Sequence, residues 1–234
     1  MTTPATTTPD DATRPVRVWD LPTRVFHWLL AAAIVGCVIT GQVGGGAMVW
    51  HFRLGETVLA LLVFRLLWGF LGGRWSRFAS FLYAPATVWR YLRGGSRPDE
   101  HHEVGHNPLG AFSVWAMLGL LAVQVGTGLV ADDEIANLGP LNRFVETATG
   151  LAATSWHKGP GKLLIIVLVL LHVAAIVYYL VKKRVNLVRP MWHGDKPLPA
   201  ATPASADHGG ARLKALLLAL LAGGLAWYVG SLGT

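Results

Sequence analysis

Five apolar runs, at about 25–41, 52–72, 109–131, 160–181 and 213–232, divide the 234-residue chain. A bilayer-spanning helix needs about 20 apolar residues to cross about 30 Å of hydrocarbon. The first run is short and borrows length from Trp19–Arg24. In lipid no water satisfies the backbone, so such runs must be helices. Glycine and proline gather between them, as in GQVGGGA and LGPLN. Only 14% of residues are charged and 53% are hydrophobic, against about 25% charged in a soluble domain. The expected fold is therefore an all-α integral membrane protein: a four-helix bundle with a fifth, C-terminal transmembrane helix. The single cysteine, Cys37, lies inside an apolar run. That excludes an internal disulfide, a cysteine-built iron–sulfur site and a C-x-x-C-H haem attachment.

The formal net charge is +7. Its arginines and lysines flank the apolar runs, so they read as topology signals and not as a nucleic-acid surface. Arg14, Arg17 and Arg24 precede the first run; Arg74, Arg77, Arg90, Arg93 and Arg97 follow the second; Lys182, Lys183, Arg184 and Arg189 follow the fourth. The other loops carry little positive charge, and one holds Asp132, Asp133, Glu134 and Glu146. The expected topology is a multi-pass membrane protein with its N-terminus on the cytoplasmic side and its C-terminus outside. Trp28, Trp50, Trp68, Trp75, Trp156 and Trp227 fall near the expected interfaces, as an aromatic belt does. Residues 1–15 read as a flexible Thr/Pro-rich tail and not a cleavable signal peptide. Residues 197–211 read as a Pro/Ala linker and 212–234 as the extra helix, with a small-residue packing face at Gly223–Gly224.

The histidines carry the chemistry. An ionisable residue in a span is a functional candidate by default. His27 lies at the inner end of helix one, His51 at the outer end of helix two, His157 at the outer start of helix four, and His172 deep in helix four. His157 and His172 are 15 residues apart, about 22 Å along a helix and about 60° around it. One face thus presents two imidazoles. Pairing His157 with His51, and His172 with His27, gives two bis-imidazole levels stacked across the membrane inside a bundle. Haem iron takes one axial nitrogen from each side. Zinc wants four clustered ligands, and neither cysteine nor carboxylate accompanies these histidines. Arg65 lies 14 residues after His51, on nearly the same face at the inner level. It is either a partner for haem propionates or an arginine snorkelling to the interface. Gly41 and Gly55 allow close approach of a ring or of a neighbouring helix. His106 can line a quinone pocket or bond a propionate; His101, His102, His193 and His208 read as surface residues.

VWDLPTRVFHW followed by ITG, then WHFRLGETVLALLVFRLLWGFLGGRWSRF, GHNPLGA, WHK…LLH and NLVRPMWHG together cover about residues 16–196. This combination resembles the bacterial b-type cytochromes of the cytochrome b561 and Ni/Fe-hydrogenase cytochrome b group. The resemblance implies a domain over 16–196 holding two non-covalent b haems, with iron ligands at His27, His51, His157 and His172. It implies electron transfer between a quinone pool and a redox partner, either a periplasmic c-type cytochrome or a hydrogenase-like subunit. The fifth helix and the Thr/Pro-rich tail depart from the simplest pattern of that group. Two other readings remain open on residues alone: a transporter using the histidines as a proton relay, and a cofactor-free membrane anchor.

Overall fold

The computed structural model describes residues 13–95, 97 and 104–233. Most of the tail, together with His101 and His102, lies outside them. Five spans form one antiparallel bundle: α1 (Leu21–Val43), α2 (Met48–Leu71), α4 (Pro108–Leu129), a long fourth span, and α8 (Gly209–Ser231). A short helix α3 (Pro85–Leu92) connects α2 to α4. Asp20 starts α1 by accepting the Thr23 N–H, and Asn107 starts α4 by accepting that of Gly110. Both helices carry proline in the first turn, where its missing N–H costs nothing. Helix α1 stops at Gly44, whose φ of +66° is left-handed; Gly45 follows at +52°. Glycine adopts that region without strain, which turns the chain straight back into α2.

The fourth span is longer than its apolar run. It starts as α5 (Thr147–Trp156), passes through a π-type turn at His157–Gly161 and continues as α6 (Lys162–Val181). Pro160 lacks an N–H and Gly159 leaves helical geometry, at φ −103° and ψ −105°. The chain absorbs both in a wide turn that holds one extra residue. His157 therefore sits inside a helical span and not on a loop.

The N-terminal side of the bundle is closed by a ribbon that sequence reasoning did not foresee. Strand β1 (Thr13–Arg17) pairs antiparallel with β2 (Asp195–Pro199), Thr13 opposite Pro199 and Arg17 opposite Asp195. Residues 13–15, read as tail, and 197–199, read as linker, are thus paired strands. Val16, Val18, Trp19, Val104 and Leu198 make a small core beneath the ribbon, with Trp75 and Met191 against it. Helix α7 (Val188–His193) leads from the fourth span into β2.

Helix α8 is packed on α2. Its buried face is Ala211, Ala215, Ala222 and Ala226; Ala215 and Ala222 pack with Phe26, Phe64 and Trp68. Small side chains let helices approach closely in lipid. The expected face at Gly223–Gly224 is not the one used, since a Cβ on either glycine would meet nothing within 4 Å.

Candidate functional site

The four span histidines meet in two pairs. On the side opposite the N-terminus, His51 in the first turn of α2 faces His157 at the π-turn, with ring centres 5.9 Å apart and planes at 83°. Both rings are held in the same way. His51 Nδ1 lies 2.9 Å from the carbonyl oxygen of Cys37, and His157 Nδ1 lies 2.9 Å from that of Gln124. A carbonyl only accepts, so each Nδ1 carries the hydrogen and each Nε2 keeps its lone pair. The approach depends on glycine one turn further along the supporting helix. A Cβ on Gly41 would stand 3.1 Å from His51 Cε1, and one on Gly128 would stand 2.9 Å from His157 Cε1. The side-chain amide of Gln124 also donates to the His157 carbonyl, at 2.9 Å.

On the N-terminal side, His27 faces His172 with ring centres 6.3 Å apart and planes at 53°. Trp28 lies edge-on to His27 at 5.0 Å. Among the described residues, His27 Nδ1 is buried without a hydrogen-bond partner. Arg65 is only 4% exposed, which excludes the snorkelling alternative. Its guanidinium lies over Phe78 at 4.8 Å and Phe81 at 6.0 Å, and Nη1 is buried with no partner among the described residues. His106 sits between Trp19 and Phe81, each ring centre 4.8 Å away, and its Nδ1 is likewise unpartnered. This level therefore gathers buried polar atoms that no group among the described residues satisfies. Such atoms are costly unless a ligand engages them.

Burial, reinforced by the positive charges of Arg65 and Lys196, pushes the His106 imidazole down to about 3. It is neutral at physiological pH. An unfolded chain takes up this proton near the ordinary value of 6.5, so between about 6.5 and 3 the unfolded state binds more protons. Stability should rise with pH across that window. Melting temperatures in detergent at pH 5 and pH 7.5 check this. The native protein should lose more between them than His106→Gln; equal losses would refute the assignment.

The structure brings together the histidines that the sequence paired, His27 with His172 and His51 with His157, and the ring that Gly41 admits is the His51 imidazole. Gly55 faces open space. His193 offers its carbonyl to Arg17, and His208 caps α8 by accepting from the Ala211 N–H. Missed were Gln124, Thr127 and Gly128, although QVGTG repeats the spacing of CVITG. Missed too was Asp20, which is fully buried and accepts from Thr23 N–H, Trp68 Nε1 and Ser76 Oγ.

Residues 18–194 match the prokaryotic cytochrome b561 family. This chain belongs to that family. It is a membrane cytochrome of the b type, a class that carries haem b and transfers electrons, which neither a histidine relay nor a cofactor-free anchor requires. The family match ends before β2 and α8. Among similar proteins, the probable Ni/Fe-hydrogenase 1 B-type cytochrome subunit of Escherichia coli is 26% identical over 179 residues, covering 60% of this chain and 74% of that protein. The probable Ni/Fe-hydrogenase B-type cytochrome subunit of Bradyrhizobium diazoefficiens is 22% identical over 214 residues, covering 77% of this chain and 85% of its own. That of Rhizobium leguminosarum bv. viciae is 22% identical over 218 residues, covering 77% and 88%. No solved structure matches the chain.

Proposed function

We propose that this cytochrome holds two b haems, one between His27 and His172 and one between His51 and His157, and passes electrons across the cytoplasmic membrane between a quinone pool and a periplasmic redox partner. One observation carries the reading: the ring centres of the two pairs are 6.3 and 5.9 Å apart, and a metal bound by two imidazole nitrogens at about 2 Å each sets ring centres about 6 Å apart. The unpartnered Arg65 Nη1 and His106 Nδ1 fit the carboxylates of the haem on their level. The bound haem supplies the one-electron chemistry. His51 and His157 offer Nε2, because Nδ1 is occupied by a carbonyl at each. Two imidazoles at each site would leave a bound iron no open position, so the chain would carry electrons and would not process substrate at the metal. The Lys/Arg pattern supports a cytoplasmic N-terminal side and a periplasmic opposite side. A hydrogenase-like subunit, as the relatives' names carry, or a c-type cytochrome would meet the His51–His157 level, and quinone the other.

The test is a pyridine haemochrome assay and a reduced-minus-oxidised spectrum on the purified protein. Two b haems per chain with low-spin α-bands are expected. One haem would refute one level, and none would refute the reading.

A further inference from the structure

Two stretches on different helices make the same device. In α1, Cys37-Val-Ile-Thr40-Gly41 supplies a carbonyl, a threonine and a glycine at positions one, four and five; in α4, Gln124-Val-Gly-Thr127-Gly128 does the same. The first carbonyl of each accepts the Nδ1–H of a histidine at 2.9 Å. Each threonine hydroxyl donates back along its own helix, Thr40 to the Gly36 carbonyl at 2.7 Å and Thr127 to the Val123 carbonyl at 2.9 Å. In that pose each hydroxyl oxygen lies 3.4 Å from the same Nδ1. Each glycine leaves room for a ring that a Cβ would crowd at 3.1 and 2.9 Å. One imidazole comes from an ordinary helical turn and the other from a π-turn, yet both end in matching seats. Packing alone gives no reason for that coincidence of contacts.

On the other level, among the described residues, His27 Nδ1 is buried and unbonded. The buried guanidinium of Arg65 and the neutral His106 lie there instead.

We infer that Thr40-Gly41 and Thr127-Gly128 are positioning elements that make the His51–His157 haem the lower-potential one of the two. This rests on the ligand assignment proposed above. An imidazole whose Nδ1–H is given to a carbonyl is a more basic ligand at Nε2. Greater basicity stabilises the oxidised iron and lowers its reduction potential, since hydrogen bonding around the ligands is one of the protein's levers on that potential. Here the lever is applied at both imidazoles of one pair, and not, among the described residues, at His27 of the other. Electrons arriving at the His51–His157 level then run downhill to the His27–His172 level. With the N-terminal side cytoplasmic, that is flow from the periplasmic side inward.

The test is a spectroscopic redox titration of the full-length holoprotein. Two one-electron waves are expected. His51→Ala should remove the lower wave and His27→Ala the higher. Gly41→Ala and Gly128→Ala push a ring off its carbonyl, and each should raise the lower midpoint while leaving the other in place. A shift of about tenfold in the reduction equilibrium is expected for each, which is about 59 mV for a one-electron couple. Thr40→Val and Thr127→Val keep shape and remove the hydroxyl, and should move the same wave by less. If an alanine variant loses one haem outright, the wave lost must be the lower one. The inference is overturned if the lower wave survives in His51→Ala, or if all four substitutions leave both midpoints unchanged at full haem content. Failure of the ligand assignment looks different: His51→Ala and His27→Ala would then each retain two haems.

Discussion

His172→Ala should leave the purified protein with one haem per chain, and His27→Ala should remove the same one. The two rings face each other at 6.3 Å, and losing either imidazole would take away most of the hold on a haem bound between them. His51→Ala and His157→Ala should remove the other haem, since those rings face each other at 5.9 Å. The decisive variants are doubles. His27→Ala with His172→Ala should retain as much haem as either single, because residues acting as one unit are strongly non-additive. His27→Ala with His51→Ala should abolish haem altogether. Haem per chain, read by pyridine haemochrome against amino-acid analysis, separates these outcomes. A His27→Ala, His51→Ala double that keeps one haem would break the pairing.

Asp20→Ala should lower the melting temperature by about 6–12 °C. The carboxylate has no exposed surface and accepts three hydrogen bonds, from Thr23 N–H at 2.8 Å, Trp68 Nε1 at 3.1 Å and Ser76 Oγ at 2.6 Å. It thereby ties the start of α1 to the last turn of α2 and to the segment that follows. Alanine strands buried donors that cost about 1–3 kcal/mol each. Ser76 keeps some compensation, as its hydroxyl also meets Thr23 Oγ1 at 2.7 Å. A total of about 3 kcal/mol converts to the stated shift for a chain of this size. Asp20→Asn retains acceptor capacity and should fall between. Thermal melts followed by haem absorbance and by helical signal check both. A shift for Asp20→Ala within about 2 °C of zero would show that these donors find other partners.

The spans were legible because they rest on a local rule, about 20 apolar residues for a bilayer; the depth of each histidine within its span was legible on the same ground. The step from His157 to His172 is instructive. Its 15 residues include the π-turn that Pro160 and Gly159 impose, so the effective helical step is nearer the 14 that separate His51 from Arg65. The path between the two imidazoles is therefore not the uniform helix that the spacing assumed. Arg65 was ambiguous from sequence because snorkelling and burial use the same residue; only Phe78 and Phe81, folded over it from the following segment, decide. The Gln124 and Cys37 seats depend on contacts 33 and 14 residues distant, which no window reveals. The ribbon was illegible for a different reason. TRPVR and DKPLP are short and carry prolines, which argue against strands everywhere except at an edge, and a two-stranded ribbon is all edge.

That ribbon also sets a timetable. Arg17 and Asp195 are partners across the ribbon, yet about 180 residues must be made between them. At about 5–20 residues per second, β1 waits roughly 10–35 s for its other strand. The first four spans, three of which bear the paired histidines, can enter the membrane in that interval. The His27–His172 end stays unsealed until the ribbon zips, and Ser205 and Asp207 then fasten the approach to α8 onto Val18 and Leu21. On the N-terminal side, closure by the ribbon thus follows the making of the four spans that carry the paired histidines and their seats.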